Sequence, residues 1–108
     1  MYDVFIYDDY FGDRLSSLRM QKDVSAREMS LSLGQNGSYI NRIENHHTLP
    51  SMRLFFYICE YLKITPKEFF DTEVSNPVKI NEILEELKKM DSTQLDTIMT
   101  VAKGLNHK

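Results

Sequence analysis

The reading of this chain turns on one stretch: Ser25-Ala26-Arg27-Glu28-Met29-Ser30-Leu31-Ser32-Leu33-Gly34-Gln35-Asn36-Gly37-Ser38-Tyr39-Ile40-Asn41-Arg42-Ile43-Glu44. Its opening, Ser25-x-x-Glu28, has the form of a capping box. The Ser25 hydroxyl accepts from the amide of Glu28, and the Glu28 carboxylate reaches back to the amide of Ser25. A short helix therefore starts here, turns Met29 and Leu33 inward, and stops at Gly34, the residue best suited to a left-handed turn. Asn36 is the next strong N-cap. From it a helix carries Tyr39, Ile40 and Ile43, and ends in the polar run Asn45-His46-His47-Thr48. Two short helices meet across a glycine turn.

The flanks read the same way. Upstream, Leu15 and Leu18 set an i, i+3 stripe for a first helix that ends near Lys22-Asp23. Downstream, the residue before Pro50 is biased away from helix, and Ser51 caps a fourth helix with Leu54, Phe55, Ile58, Cys59 and Leu62 on its apolar face. Thr65-Pro66-Lys67-Glu68 is a second capping box, with Pro66 where its missing N–H costs nothing, and opens a short helix that buries Phe69 or Phe70. The breaker-rich run from Thr72 to Pro77 is a linker. Beyond it, Ile80, Ile83, Leu84 and Leu87 repeat at helical spacing, with Glu85 and Lys89 set for an i, i+4 pair. Asp91 or Ser92 caps a last helix with Leu95, Ile98, Met99, Ala102 and Leu105. The expected fold class is all-α: a five-helix headpiece followed by a two-helix C-terminal hairpin.

Composition narrows the function. The chain has 108 residues, 42% hydrophobic and 27% charged, which fits one globular domain with an appendage. No apolar run approaches the roughly 18 residues of a membrane span. Met1-Tyr2-Asp3-Val4 has no basic n-region, so no secretory leader is expected and the chain reads as cytoplasmic. Cys59 is the single cysteine, which excludes an intramolecular disulfide and a cysteine-based zinc cage. The formal net charge is −3, but it is unevenly spread. Residues 13–53 carry six basic side chains (Arg14, Arg19, Lys22, Arg27, Arg42, Arg53) against four acidic ones, the one net-positive third of the chain. A local phosphate-facing surface on an acidic body fits that pattern.

The helix, glycine turn and capped helix form a helix-turn-helix layout. The stretch resembles the Cro/lambda-repressor (xenobiotic-response-element) family of helix-turn-helix regulators. The resemblance rests on S-x-x-E at Ser25, Leu33-Gly34, Ser38-Tyr39-Ile40, Ile43-Glu44, Pro50-Ser51, and the run from Ile64-Thr65 to Phe69-Phe70. It spans about sixty residues, from Gly12 to Asp71. There are departures. Ala26 replaces a glutamine that often contacts phosphate, Ser30 an alanine packed between the two helices, and Gln35 an apolar turn residue. Gly37 stands where relatives usually offer a side chain.

The resemblance implies double-stranded DNA as partner, with the second helix of the pair in the major groove. With Ile40 and Ile43 inward, Gly37, Ser38, Asn41 and Arg42 face outward or sideways. Arg42 can give guanine O6 and N7 two parallel hydrogen bonds, about 1–3 kcal/mol of discrimination. Tyr39, the Asn36 end of the helix, and Asn45-His46-His47 are placed like phosphate contacts in the family. Arg19 with Glu44 resembles the family's structural salt bridge, which fixes helix orientation rather than adding net stability.

Other chemistries find little support. Neighbouring histidines on a loop do not converge on one ion, so no metal is expected, and no cofactor motif is present. No nucleophile–base pair appears, so the chain is not read as an enzyme. Cys59 is expected to be buried and inert. Phe56, Tyr57 and Tyr61 lie off the inner stripe of their helix, as extra core beneath the N-terminal segment or as an interface patch.

The ends complete the reading as three units: an N-terminal segment 1–11, the DNA-binding domain 12–72, and a dimerisation hairpin 73–108. A lone headpiece binds few phosphates, so such proteins usually dimerise on near-palindromic sites with half-sites roughly 34 Å apart. The stripes Ile80, Ile83, Leu84, Leu87 and Leu95, Ile98, Met99, Ala102, Leu105 are the expected homodimer interface. The segment 1–10, rich in tyrosine and aspartate, is expected to pack on the body, over the Phe56-Tyr57-Tyr61 patch or the dimer helices. The function expected is a dimeric DNA-binding regulator, a repressor rather than an activator. The alternative is a protein-binding modulator that pairs with a related regulator or a toxin; acidic pI, Gly37 and Ala26 favour it.

Overall fold

The computed structural model describes residues 5–71, 73 and 75–107, and of Phe5 only the backbone. Expectations for residues 1–4, and for Thr72 and Val74 in the linker, lie outside them. All regular structure among the described residues is helical: α1 (Phe5–Lys22), α2 (Ala26–Ser32), α3 (Tyr39–Glu44), α4 (Met52–Leu62), α5 (Pro66–Phe70), α6 (Pro77–Leu87) and α7 (Ser92–Asn106).

The first helix differs most from expectation. It continues through Gly12, so residues 5–11 are its opening turns and not a separate segment. The reason lies at Gly12 itself. A β-carbon there would sit 2.6 Å from the Ile43 carbonyl oxygen and 3.1 Å from that of Glu44. The missing side chain lets the end of α3 lie directly on α1, so this glycine marks a close crossing and not a break. Phe11, one residue earlier, is core: its ring lies 4.8 Å from Phe69 and 5.7 Å from Phe55. The opening turns pack toward α5, with Ile6 and Tyr7 exposed, and they leave Phe56 and Tyr57 uncovered. Tyr61 packs partly into the core beneath Lys22.

The core is one cluster, with Leu15 and Leu18 of α1, Met29 of α2, Ile40 and Ile43 of α3, and Phe55, Ile58, Cys59 and Leu62 of α4. Phe69 is the buried one of the α5 pair; Phe70 is half exposed. Burial pushes the Cys59 thiol up to about 11, which keeps it protonated and unreactive at neutral pH.

The caps follow the sequence with two differences, at α3 and α2. The N-cap of α3 is Ser38, with no side-chain cap bond, and not the expected Asn36, which instead closes the turn before it. Ser25 accepts from the Glu28 amide at 2.9 Å, but the Glu28 carboxylate does not return the bond. At α5 both halves of the box form, and at α7 the cap is Asp91, paired reciprocally with Gln94. Gly34 has φ +74° and ends α2 with Gln35 N–H bonded to the Ser30 carbonyl. The expected Glu85–Lys89 pair is replaced by i, i+3 pairs, Lys88–Glu85 at 3.4 Å and Lys89–Glu86 at 3.6 Å.

The C-terminal helices extend from the headpiece rather than folding onto it. Pro77 and Val78 are buried against α1, and Gln21 donates to the Ser75 carbonyl at 2.7 Å. Asn81 donates to the Lys63 carbonyl and to the Glu68 carboxylate, each at 3.1 Å, while Ile80, Ile83 and Leu84 stay exposed. No residue of α7 is buried, and α6 and α7 join through a turn without closing against each other along their lengths. The radius of gyration is 16.8 Å, against about 13 Å for a compact chain of this length.

Candidate nucleic-acid interface

Helix α3 is held from three sides. Ile40 and Ile43 have no exposed surface. Ser30, fully buried on α2, donates its hydroxyl to the Ala26 carbonyl at 2.7 Å and accepts the Ile40 amide at 2.9 Å. One hydroxyl thus ties the two helices of the motif together and satisfies a first-turn amide that would otherwise lack an acceptor. From α1, Arg19 donates to both Glu44 carboxylate oxygens, at 2.7 and 3.0 Å, and to the Val24 carbonyl at 2.8 Å. The hydrogen bonds to Glu44 hold the Arg19 guanidinium protonated above its already high range.

With that face fixed, the opposite face carries the exposed side chains Ser38, Asn41, Arg42 and Asn45. Asn36 accepts from the Ser38 amide at 3.0 Å and the Ser38 hydroxyl at 2.8 Å, so it caps a tight first turn ahead of α3. Asn45 donates to the side chain and carbonyl of Asn41, both at 2.9 Å, and braces the far end. Arg42 has no partner among the described residues. Tyr39 lays its ring partly into the core, and burial raises its phenol above the ordinary range.

The basic residues of the middle third divide sharply. Arg14 is buried and is a cap, donating to the carbonyls of Phe69 at 2.6 Å, Glu68 at 2.9 Å and Asp71 at 3.0 Å at the end of α5. Arg19 is paired with Glu44, and Lys22 lies 5.1 Å above the Tyr61 ring. That leaves Arg27, Arg42 and Arg53 as exposed guanidinium groups. Sequence reasoning set Arg19 apart through its pairing with Glu44, but left Arg14 and Lys22 in the net-positive stretch without distinguishing them from the exposed cations. The arrival of α5 on α1 takes Arg14 out of that set, and the Tyr61 ring takes Lys22.

The family model for Helix-turn-helix, the Cro/C1 type, matches residues 15–69. The chain belongs to that helix-turn-helix family. It is a family of DNA-binding transcriptional regulators, and the matched span runs from Leu15 to Phe69, the two core residues that bracket the headpiece. Comparison with curated proteins and with solved structures returned no significant match.

Within this helix-turn-helix unit two candidates stand differently from expectation. His46 follows α3 in a left-handed conformation, φ +68°, which histidine adopts more readily than most residues. Its Nδ1 lies 3.0 Å from Asp9 and its Nε2 3.2 Å from Asp13, so the ring is turned to α1 and not to the outer surface. His47 beside it stays exposed. Gly37 is not open space either. A β-carbon there would fall on the Arg27 guanidinium, 3.0 Å from its Cζ and 3.3 Å from its Cγ. Among the described residues no group of histidine, cysteine, aspartate and glutamate is placed to hold a metal ion, and no helix is long and apolar enough to cross a membrane.

Proposed function

We propose that this helix-turn-helix protein is a sequence-specific transcriptional regulator that binds a near-palindromic operator as a homodimer and represses by occupying promoter DNA. One observation carries the reading: α3 is locked by Ile40, Ile43, Ser30 and the Arg19–Glu44 pair, while Arg42 stands on its outer face with no partner among the described residues. In the major groove Arg42 reads guanine, with Ser38 and Asn41 beside it. Tyr39, Asn36, Asn45 and His47 border the phosphates. His46 drops out of that set, because its ring engages Asp9 and Asp13.

The dimer rests on α6 and α7. Ile80, Ile83, Leu84, Leu95, Ile98, Met99 and Leu105 are each between 38% and 66% exposed, with half-buried Leu87 and exposed Ala102 continuing the stripes. Apolar surface of that extent on two consecutive helices marks an association site.

The test is selection of bound fragments from sheared genomic DNA by wild type and by Arg42→Ala, followed by affinity measurements over salt. A near-palindromic site, weakened or relaxed by Arg42→Ala and lost steeply between about 50 and 200 mM salt, supports the reading. A second reading has one observation in its favour: the Asp9 and Asp13 carboxylates lie against the loop after α3, where they repel phosphate. Selection that enriches nothing, with a clean dimer in solution, favours a modulator that binds a related regulator or a toxin.

A further inference from the structure

Gly37 leaves a gap at the start of the recognition turn, and Arg27 fills it. Arg27 is the second residue of α2, two residues past the Ser25 cap. Its chain runs across Gly37 so closely that a β-carbon at 37 would touch Cγ, Cζ and Nη1 together. The guanidinium is exposed and has no hydrogen bond or ion pair among the described residues. An arginine fork is a preformed match for a guanine edge, and the platform beneath this one limits where it can point.

We propose that Arg27 is a specificity-determining residue: carried on α2 and seated over Gly37, its guanidinium reads a guanine O6/N7 edge in each half-site, in place of the side chain that residue 37 lacks. The inference rests on the DNA-binding reading above and adds to it a second reader on another helix. Gly37 is then part of the reader, because it is the seat. Two arginines, Arg42 on α3 and Arg27 on α2, address two different base pairs.

A double-mutant cycle tests this. Wild type, Arg27→Ala, Gly37→Ala and the double variant are titrated against the selected operator and against every single-base-pair substitution of one half-site. The Gly37 φ is not in the left-handed region, so alanine there strains no backbone; its tightest contacts are with the flexible guanidinium end of Arg27, which it displaces, and Cγ at 3.3 Å must give by a few tenths of an ångström. Arg27→Ala should lower affinity by roughly 5- to 150-fold per half-site and abolish discrimination at one base pair, distinct from the one lost in Arg42→Ala. Gly37→Ala should lose discrimination at the same pair, and add no further loss in the Arg27→Ala background. All variants should melt at the wild-type temperature.

Equal weakening of Arg27→Ala across all substitutions makes the contact one to phosphate and overturns the proposal. Unchanged binding by Arg27→Ala overturns it too, as does a Gly37→Ala loss that persists without Arg27. In these outcomes wild type still selects an operator, so the DNA-binding reading stands. If wild type selects no DNA, that reading fails and takes this one with it.

Discussion

Ser30 has no exposed surface, and its hydroxyl is the acceptor that the Ile40 amide finds among the described residues. Ser30→Ala should therefore destabilise the headpiece by about 1–3 kcal/mol, the range for a buried donor left unsatisfied, read as a lower urea midpoint at unchanged slope. Arg14→Met removes donors to three carbonyls at the end of α5 and should lower the melting temperature further, without touching the outer face of α3. The burial of Ser30 was legible only through the family resemblance, in which an alanine at this place packs between the two helices. Its bond across to α3 was not, because that depends on how closely two helices cross. Arg14 was less legible still: its carbonyl partners lie more than fifty residues away, and a lone arginine in sequence looks the same whether it caps a helix or faces DNA.

Among elements, α1 depends on a residue that sequence habit reads as a break. Gly12→Ala should improve the helix by about 1 kcal/mol on propensity alone. It also drives a methyl group into the Ile43 carbonyl, and backbone yields less than a side chain end. The overpacking term of about 1–3 kcal/mol should win, so the variant should melt lower and bind DNA more weakly as α3 tilts off α1. At α5 the capping box predicts a pH effect. The Thr65 amide, with a further bond from Asn81, holds the Glu68 carboxyl below its ordinary range. A depressed folded value means that its contribution is present above the unfolded value near about 4.3 and is lost as pH falls through the folded one. Glu68→Gln should therefore show a shallower fall in melting temperature across that acid range than wild type. Cap residues announced most of these helices, since Ser, Thr and Asp caps act within three residues of themselves. The length of α1 escaped because what holds its first turns, Phe11 on Phe69, is a long-range contact.

At the scale of the whole molecule, the stripes of α6 and α7 were legible as helical periodicity, but their direction was not, since both helices could have folded back on the headpiece. They extend from it instead. If the proposed dimer forms through these stripes, wild type should sediment at twice the 12.7 kDa chain mass at micromolar concentration, and Ile83→Glu with Ile98→Glu should sediment as a monomer. The same variant should keep its headpiece melting transition, because neither side chain belongs to the core cluster. Operator binding should then become weak and non-cooperative.

The bareness of α7 also sets a clock. None of its fifteen residues is buried within the chain, and an isolated helix of that length is marginal in water. Its amides in a lone chain should open and exchange with solvent deuterium long before those of α1 and α4, which share the core. Association would close them by mass action. In the proposed dimer, deuterium uptake over residues 92–106 should thus slow as protein concentration rises, while uptake over residues 15–69 stays constant, so this one helix would count how often two chains are together.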